Sequence, residues 1–296
     1  MPTVAVVGAL VACTMLQSGR VLRPLRPLLF KPISAMSSST SLLQAVAVDG
    51  LSCDPITVAF PPNQYQLDAV VILEASGASQ ETLVERALAL ESTGAEGDPY
   101  GGVLWPAAKA ISKRLLATSP AELKNSRYIE IGTGTGLVAL VAALCGAKHV
   151  LATDFNPFSL QLVNQAMQMQ PDGRKITCAQ LSTQIFDVCD FDAYPDLPAN
   201  CDVLLVADLL YSPKTGECVA RRVHQAVQRN MRVLVADSPL RPGRPRFLEE
   251  LSKLLGRQVE FNTVPGEPVS EGVRHELIAT RSNDGLRTLD MAILEL

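Results

Sequence analysis

The sequence predicts an α/β fold: a doubly wound sheet with helices on both faces, preceded by a small N-terminal accessory element. Three observations predict it. From residue 127 onward, short apolar runs alternate with segments of helical period. The run "CDVLLVADLL" (201–210) is almost continuously apolar, as in a parallel strand covered on both faces. Finally, "IEIGTGTGLVAL" (129–140) carries a strand-like segment straight into a helix-like one through three alternating glycines.

The elements follow in order. "ITVAF" (56–60) and "LDAVVILE" (67–74) read as strands separated by the turn signal Pro61-Pro62-Asn63. "SQETLVERALAL" (79–90) has a helical period, with Ser79 as N-cap. These form the accessory element, residues 49–97. In "GDPYGGVLWPAAKAISKRLL" (97–116), Pro106 sits at a first helical turn, and Ile111, Leu115 and Leu116 make an apolar stripe. The main domain, residues 98–296, then continues with strand "RYIEI", a helix from Leu137 to Leu144 stopped by Gly146, and strand "HVLATD". A helix from Pro157 to Met169 is stopped by Pro171 and Gly173. A third strand falls somewhere in 176–188. A strand in 201–210, a helix from Pro213 to Arg229 capped by Ser212, and strand "MRVLVADS" come next. Helix "RFLEELSKLL" and strands "QVEFNTV" and "TLDMAILEL" close the chain.

With 296 residues, 47% of them apolar, the chain can bury one large core or two modest ones. A net charge of −4 gives no polycationic footprint, which argues against nucleic acid as a partner. The seven cysteines (13, 53, 145, 178, 189, 201 and 218) include no C-x-x-C pair and have no histidines at ligand spacing. They suggest reduced thiols, with neither a metal site nor a disulfide framework. Residues 1–48 hold Arg20, Arg23, Arg26 and Lys31 but no acid. "RVLRPLRPLLFKP" followed by the Ser-rich "SAMSSSTS" has the composition of a plastid or mitochondrial transit peptide, the alternative being an addressless tail of a cytoplasmic protein. The apolar "TVAVVGALVACTML" before it is 14 residues long, too short for stable membrane insertion.

In a doubly wound sheet, ligands bind outside the carboxyl ends of the strands. The glycine loop follows one such end, and Asp154 ends the next strand, where an acid can accept both hydroxyls of an adenosine ribose. A dinucleotide fingerprint G-x-G-x-x-G would place its third glycine at Leu137; this chain has G-x-G-x-G, with Glu130 two residues ahead. A carboxylate there repels a pyrophosphate but suits an ammonium and a sulfonium, favouring S-adenosyl-L-methionine.

These residues, with "GDPYGGVLWPAA" and "VADLLYSP", resemble the class I, seven-β-strand methyltransferases, and within them the family 16 group of mainly protein lysine methyltransferases. The resemblance covers roughly residues 98–255. It implies a Rossmann-like seven-stranded sheet and a monomer acting on a protein that presents a lysine. It also implies that Trp105 flanks the cofactor, that Glu130, Gly132, Thr133, Gly134 and Gly136 hold its methionine end, and that Asp154 and Asn156 hold the ribose. Asp187 or Asp190 would face the adenine, with Ala207 beside the cofactor. Asp208-x-x-Tyr211 looks like the family's D-x-x-Y motif; Asp208 would orient the acceptor amine and Tyr211 wall its channel. "DSPLRPGR" (237–244) departs from the D-P-G-R form expected there. The basic "RPGRPR" (241–246) overlapping it reads either as a solvated loop or as a contact for an acidic partner. A small-molecule methyltransferase on the same fold and a non-catalytic cofactor-binding module are the competing readings.

Overall fold

A computed structural model describes residues 44–92, 99–268 and 288–296. The transit-peptide expectation falls, up to residue 43, outside the described residues.

The accessory element is an antiparallel sheet of β1 (Val46–Val48), β2 (Leu51–Ala59) and β3 (Ala69–Ala75), followed by α1 (Gly77–Glu91). Val46–Val48, inside the segment set apart as presequence, pairs with β2 through the tight Asp49-Gly50 turn. The "ITVAF" strand extends back to Leu51. The cap of α1 is Ser76 rather than Ser79, whose N–H donates to Ser76 Oγ. Both serines suit the role, but β3 runs to Ala75, so the helix must start where the chain turns.

A 3-10 turn (Tyr100–Gly102) leads into α2 (Pro106–Ala117) and the short α3 (Pro120–Asn125), which was not anticipated. Then come β4 (Arg127–Ile131), α4 (Leu137–Leu144), β5 (His149–Asp154), α5 (Pro157–Ala166), β6 (Leu181–Ile185), β7 (Val203–Ala207), α6 (Pro213–Gln228), β8 (Arg232–Asp237), α7 (Arg244–Leu255), β9 (Asn262–Pro268) and β10 (Thr288–Glu295). The sheet has seven strands in the order β6-β5-β4-β7-β8-β10-β9, confirming the α/β doubly wound expectation. The first five are parallel, whereas β10 runs antiparallel to both β8 and β9. The expected strand at 258–264 starts only at Asn262, because Val259 N–H donates to Ser252 Oγ and belongs to the exit of α7.

Alternation along the central strands sorts the core. Tyr128, Val150, Leu205 and Leu234 pack with α2 and α4 on one face; Ile129, Leu204, Val233 and Val235 pack with α6 and α7 on the other. Val70 and Ile72 of β3 join the α2–α4 cluster, which explains why α4 is buried on every side.

One cysteine expectation is corrected. Cys189, after β6, and Cys218, on α6, form a disulfide with their Cα atoms 5.2 Å apart. Their 29-residue separation is closed by the β7 crossover, which sequence spacing does not reveal. Cys53, Cys145, Cys178 and Cys201 are free thiols.

Candidate active site

The chain runs from β4 outward to β6, then crosses back to β7 on the other side of β4. The crevice at this reversal, beyond the carboxyl ends of β4 and β7, is where such sheets bind ligands. The glycine loop and Asp208 flank it.

All three loop glycines have left-handed backbones, with φ of +69°, +51° and +81° at Gly132, Gly134 and Gly136. Each also admits a different neighbour. A Cβ at Gly132 would meet Leu209 Cδ1 at 2.7 Å, one at Gly134 the Gly101 carbonyl at 3.3 Å, and one at Gly136 Val163 Cγ2 at 2.5 Å. The loop is therefore gripped by the β7 exit, the 3-10 turn and α5, with its backbone open to close approach.

Glu130 lies beneath it, 1% exposed. Its Oε2 accepts from Thr133 Oγ1 at 2.7 Å and from Ala139 N at 3.1 Å. Gly136, the N-cap of α4, has no side chain to offer, and Glu130 supplies the capping oxygen from the preceding strand. Desolvation pushes its carboxyl up to about 8, against the lowering effect of those two hydrogen bonds. Asp154 is fixed by Gly134 N on Oδ2 (3.0 Å) and by Asn156 N on Oδ1 (2.9 Å). Asn156 in turn caps α5 through Phe158 N. An aligned carboxylate beside a glycine-rich loop fits an adenosine ribose and a methionine tail, so the residues present suit S-adenosylmethionine.

Asp187 and Asp190 are both half-buried in the loop after β6. Asp187 Oδ1 accepts from Cys189 N, and Asp190 Oδ1 from Asp192 N and Ala193 N. Both shape turns, and the choice between them stays open. Ala207 ends β7, half-buried.

Asp208 takes a left-handed backbone at φ +54°. Its Oδ2 accepts from Ala107 N at 2.8 Å, in the first turn of α2, and its Oδ1 from Ser238 N at 2.8 Å. Arg241 completes the arrangement at 3.2 Å, with its guanidinium 4.4 Å from the centroid of the Trp105 ring. Trp105 Nε1 donates to Tyr100 O. Asp208 is thus a buried brace joining the ends of β7 and β8 to the start of α2; Tyr211 lies exposed at the rim.

Arg241, Ser238 and the neighbouring Asp237–Arg244 pair went unrecognised in the sequence. Each of the "RPGRPR" arginines has an acid partner within the chain. Arg241 pairs with Asp208, Arg244 with Asp237, and Arg246 with Glu217 and Glu249. Arginines spaced around a Pro-Gly turn, opposite acids at two strand ends, were the available signal. Among the described residues, no group of three or more His, Cys, Asp or Glu is placed to hold a metal ion.

A sheet of this order, with an acid-led glycine loop at the reversal and a buried acid ending the next strand, defines the class I methyltransferase fold, whose cofactor is S-adenosyl-L-methionine. Residues 84–254 match the family model described as lysine methyltransferase, and the chain belongs to that family. The chain is 26% identical over 155 residues to the electron transfer flavoprotein beta subunit lysine methyltransferase of Mus musculus, covering 51% of this chain and 53% of that protein. Its Homo sapiens counterpart is 26% identical over 197 residues, covering 64% and 63%. Protein N-lysine methyltransferase METTL21A of Danio rerio is 32% identical over 152 residues, covering 50% and 66%. The chain spans about half the length of the mouse relative it matches.

Proposed function

We propose that the protein is a protein-lysine N-methyltransferase, monomeric and directed to a plastid or mitochondrion by its acid-free N-terminal segment. The observation that carries this reading is the glycine loop, braced by Glu130 and Asp154 and lying within the stretch that matches the lysine methyltransferase family. The family match favours a lysine acceptor over a small molecule.

Bound S-adenosylmethionine supplies an electrophilic methyl group on a sulfonium. The protein's part is to align an amine with it, since transfer by in-line displacement depends on near-attack geometry more than on acid–base machinery. Gly132, Thr133, Gly134 and Gly136 receive the methionine end, with Glu130 setting the loop from below. Asp154 and Asn156 orient the ribose, and Asp187 or Asp190 meets the adenine. Ala207 and Trp105 flank the cofactor. Asp208 fixes the walls of the acceptor channel, and Tyr211 lines its rim. A free lysine is almost wholly protonated at neutral pH, and a nearby positive sulfonium favours loss of that proton.

The test is incubation of the recombinant protein with methyl-labelled cofactor and two acceptors: electron transfer flavoprotein β subunit and an organelle extract. Label on lysine, located by peptide mass spectrometry, is the expected result. Label confined to metabolites would replace this reading with the small-molecule one.

A further inference from the structure

The Asp187–Asp190 stretch that leaves β6 is held to α6 by two pins, while Arg221, Gln225 and Arg229 hold the later residues, Phe191 to Leu197. The first is Arg222, fully buried on α6. It donates from Nε to Val188 O at 3.1 Å and from Nη2 to Asp190 O at 3.3 Å. Its guanidinium also lies 4.9 Å from the Phe186 ring centroid and 3.9 Å from that of Phe191. The second pin is the Cys189–Cys218 bond, one helical turn earlier on the same face of α6. Between them the loop displays Asp187 and Asp190. Cys189 bears on this directly, because its N–H donates to Asp187 Oδ1 at 2.8 Å and so sets where that carboxylate points.

We infer that Cys189–Cys218 is a thiol–disulfide exchange site, open to dithiol reductants, whose oxidation state sets the affinity of the protein for its cofactor. The inference rests on reading the Asp187–Asp190 loop as the adenine side of the site. Cys189 is half-buried and Cys218 is 8% exposed, so attack falls on Cys189 Sγ. A thiolate of the reductant bonds to that sulfur, the S–S bond breaks, and Cys218 leaves as a thiolate that takes a proton from water. The second thiol of the reductant, losing its own proton, then attacks the mixed disulfide and releases Cys189, which is protonated in turn. The reductant becomes a disulfide, and two electrons have passed to the cysteine pair. The Asp187–Asp190 stretch is then left on Arg222, and this more mobile segment must be ordered when cofactor binds.

The test measures S-adenosylhomocysteine affinity by calorimetry on the full chain, once oxidised and once reduced with dithiothreitol, with thiols counted by alkylation and peptide mass spectrometry. Reduction is expected to weaken binding about fivefold or more. Cys218→Ser and Cys189→Ser should each bind like the reduced protein whether or not dithiothreitol is present. Equal affinities for the two wild-type forms would overturn the inference. So would a Cys218→Ser protein that still responds to dithiothreitol, or peptide maps showing both cysteines as thiols after oxidation. The wild-type comparison needs no variant to fold. If S-adenosylhomocysteine binds neither form, the cofactor reading itself falls and takes this inference with it.

Discussion

Replacing Asp208 by Asn separates a structural brace from a group that acts on the acceptor. The carboxylate accepts from two backbone N–H groups at 2.8 Å and from Arg241 at 3.2 Å, with its side chain only 1% exposed. Asparagine tolerates the left-handed backbone at this position, so backbone strain is not the issue. Its amide keeps one acceptor oxygen, but its NH2 must face either Ala107 N–H or the Ser238–Arg241 side, donor against donor. An unsatisfied buried donor costs about 1–3 kcal/mol, and breaking a buried ion pair about 3–5 kcal/mol. Arg241 keeps its stacking on Trp105, so the total should stay near the lower end, about 3 kcal/mol. For a domain of this size, 1 kcal/mol moves the melting temperature by about 2–4 °C, which gives a loss on the order of 10 °C. The assay pairs denaturant unfolding with methyl-transfer kinetics. Asp208→Asn is expected to lose stability and turnover together. Wild-type stability with turnover abolished would refute the bracing argument and place Asp208 on the amine itself.

Glu130 and Asp237 are pushed up to about 8 and about 7, chiefly by desolvation, from ordinary values of 4.5 and 3.8. Folded-state values above the unfolded ones mean that their stabilising contribution is complete below the ordinary values and lost as pH rises through about 7 and 8. The urea midpoint of the cofactor-free protein should therefore fall between about pH 5 and pH 9, with Glu130→Gln flattening the upper part; a level wild-type profile would count against it. An ammonium brought near Glu130 favours its ionised form, so cofactor binding should release protons near neutral pH, visible as calorimetric heats that differ between phosphate and Tris. Identical observed heats in the two buffers would mean that Glu130 does not ionise. Gly134→Ala forces a left-handed φ of +51° on a residue with a Cβ and crowds the Gly101 carbonyl, and should weaken S-adenosylhomocysteine binding about tenfold. Gly50→Ala, left-handed but with nothing within 4 Å, serves as control and should leave that affinity unchanged.

The packing of Glu130, the glycine loop and Asp154 against one another was legible because it is local. Glu130, the three glycines and Asp154 lie within one β-α-β unit, where 20 residues separate Gly134 from the carboxylate that holds its N–H. The central strands were legible because burial on both faces leaves long apolar runs. What stayed hidden depends on distant partners. Asp208 is bonded to Ala107, 101 positions away, and to Ser238, 30 positions away. A basic loop reads as solvated until the acids opposite it are placed, and that placement needed the β7–β8 register. Val259 was misassigned to a strand for a related reason: one side-chain bond to Ser252, within the α7 exit, outweighs an alternating pattern.

The two halves therefore differ in how they can vary. The glycine loop is crowded by Leu209, Gly101 and Val163, so a change there disturbs three segments at once. On the acceptor side, the positions of Asp208 and Arg241 are likewise fixed, but what lies outside them is not. Leu240, next to Arg241, is 78% exposed and has a left-handed φ of +61°, a conformation costly for leucine. Tyr211 is 37% exposed on the loop whose Leu210 carbonyl accepts from Gly243 N at 3.0 Å, so the two loops are tied together. Ser238 N–H and the Arg241 guanidinium, on either side of Leu240, both donate to Asp208, so the brace confines the turn in which Leu240 is left-handed. A different residue at position 240 would keep the Asp208 brace while changing the exposed apolar surface of a loop tied to the one that carries Tyr211. Under the proposed placing of the acceptor beside Asp208 and Tyr211, its selection is set at this rim, apart from the glycine loop.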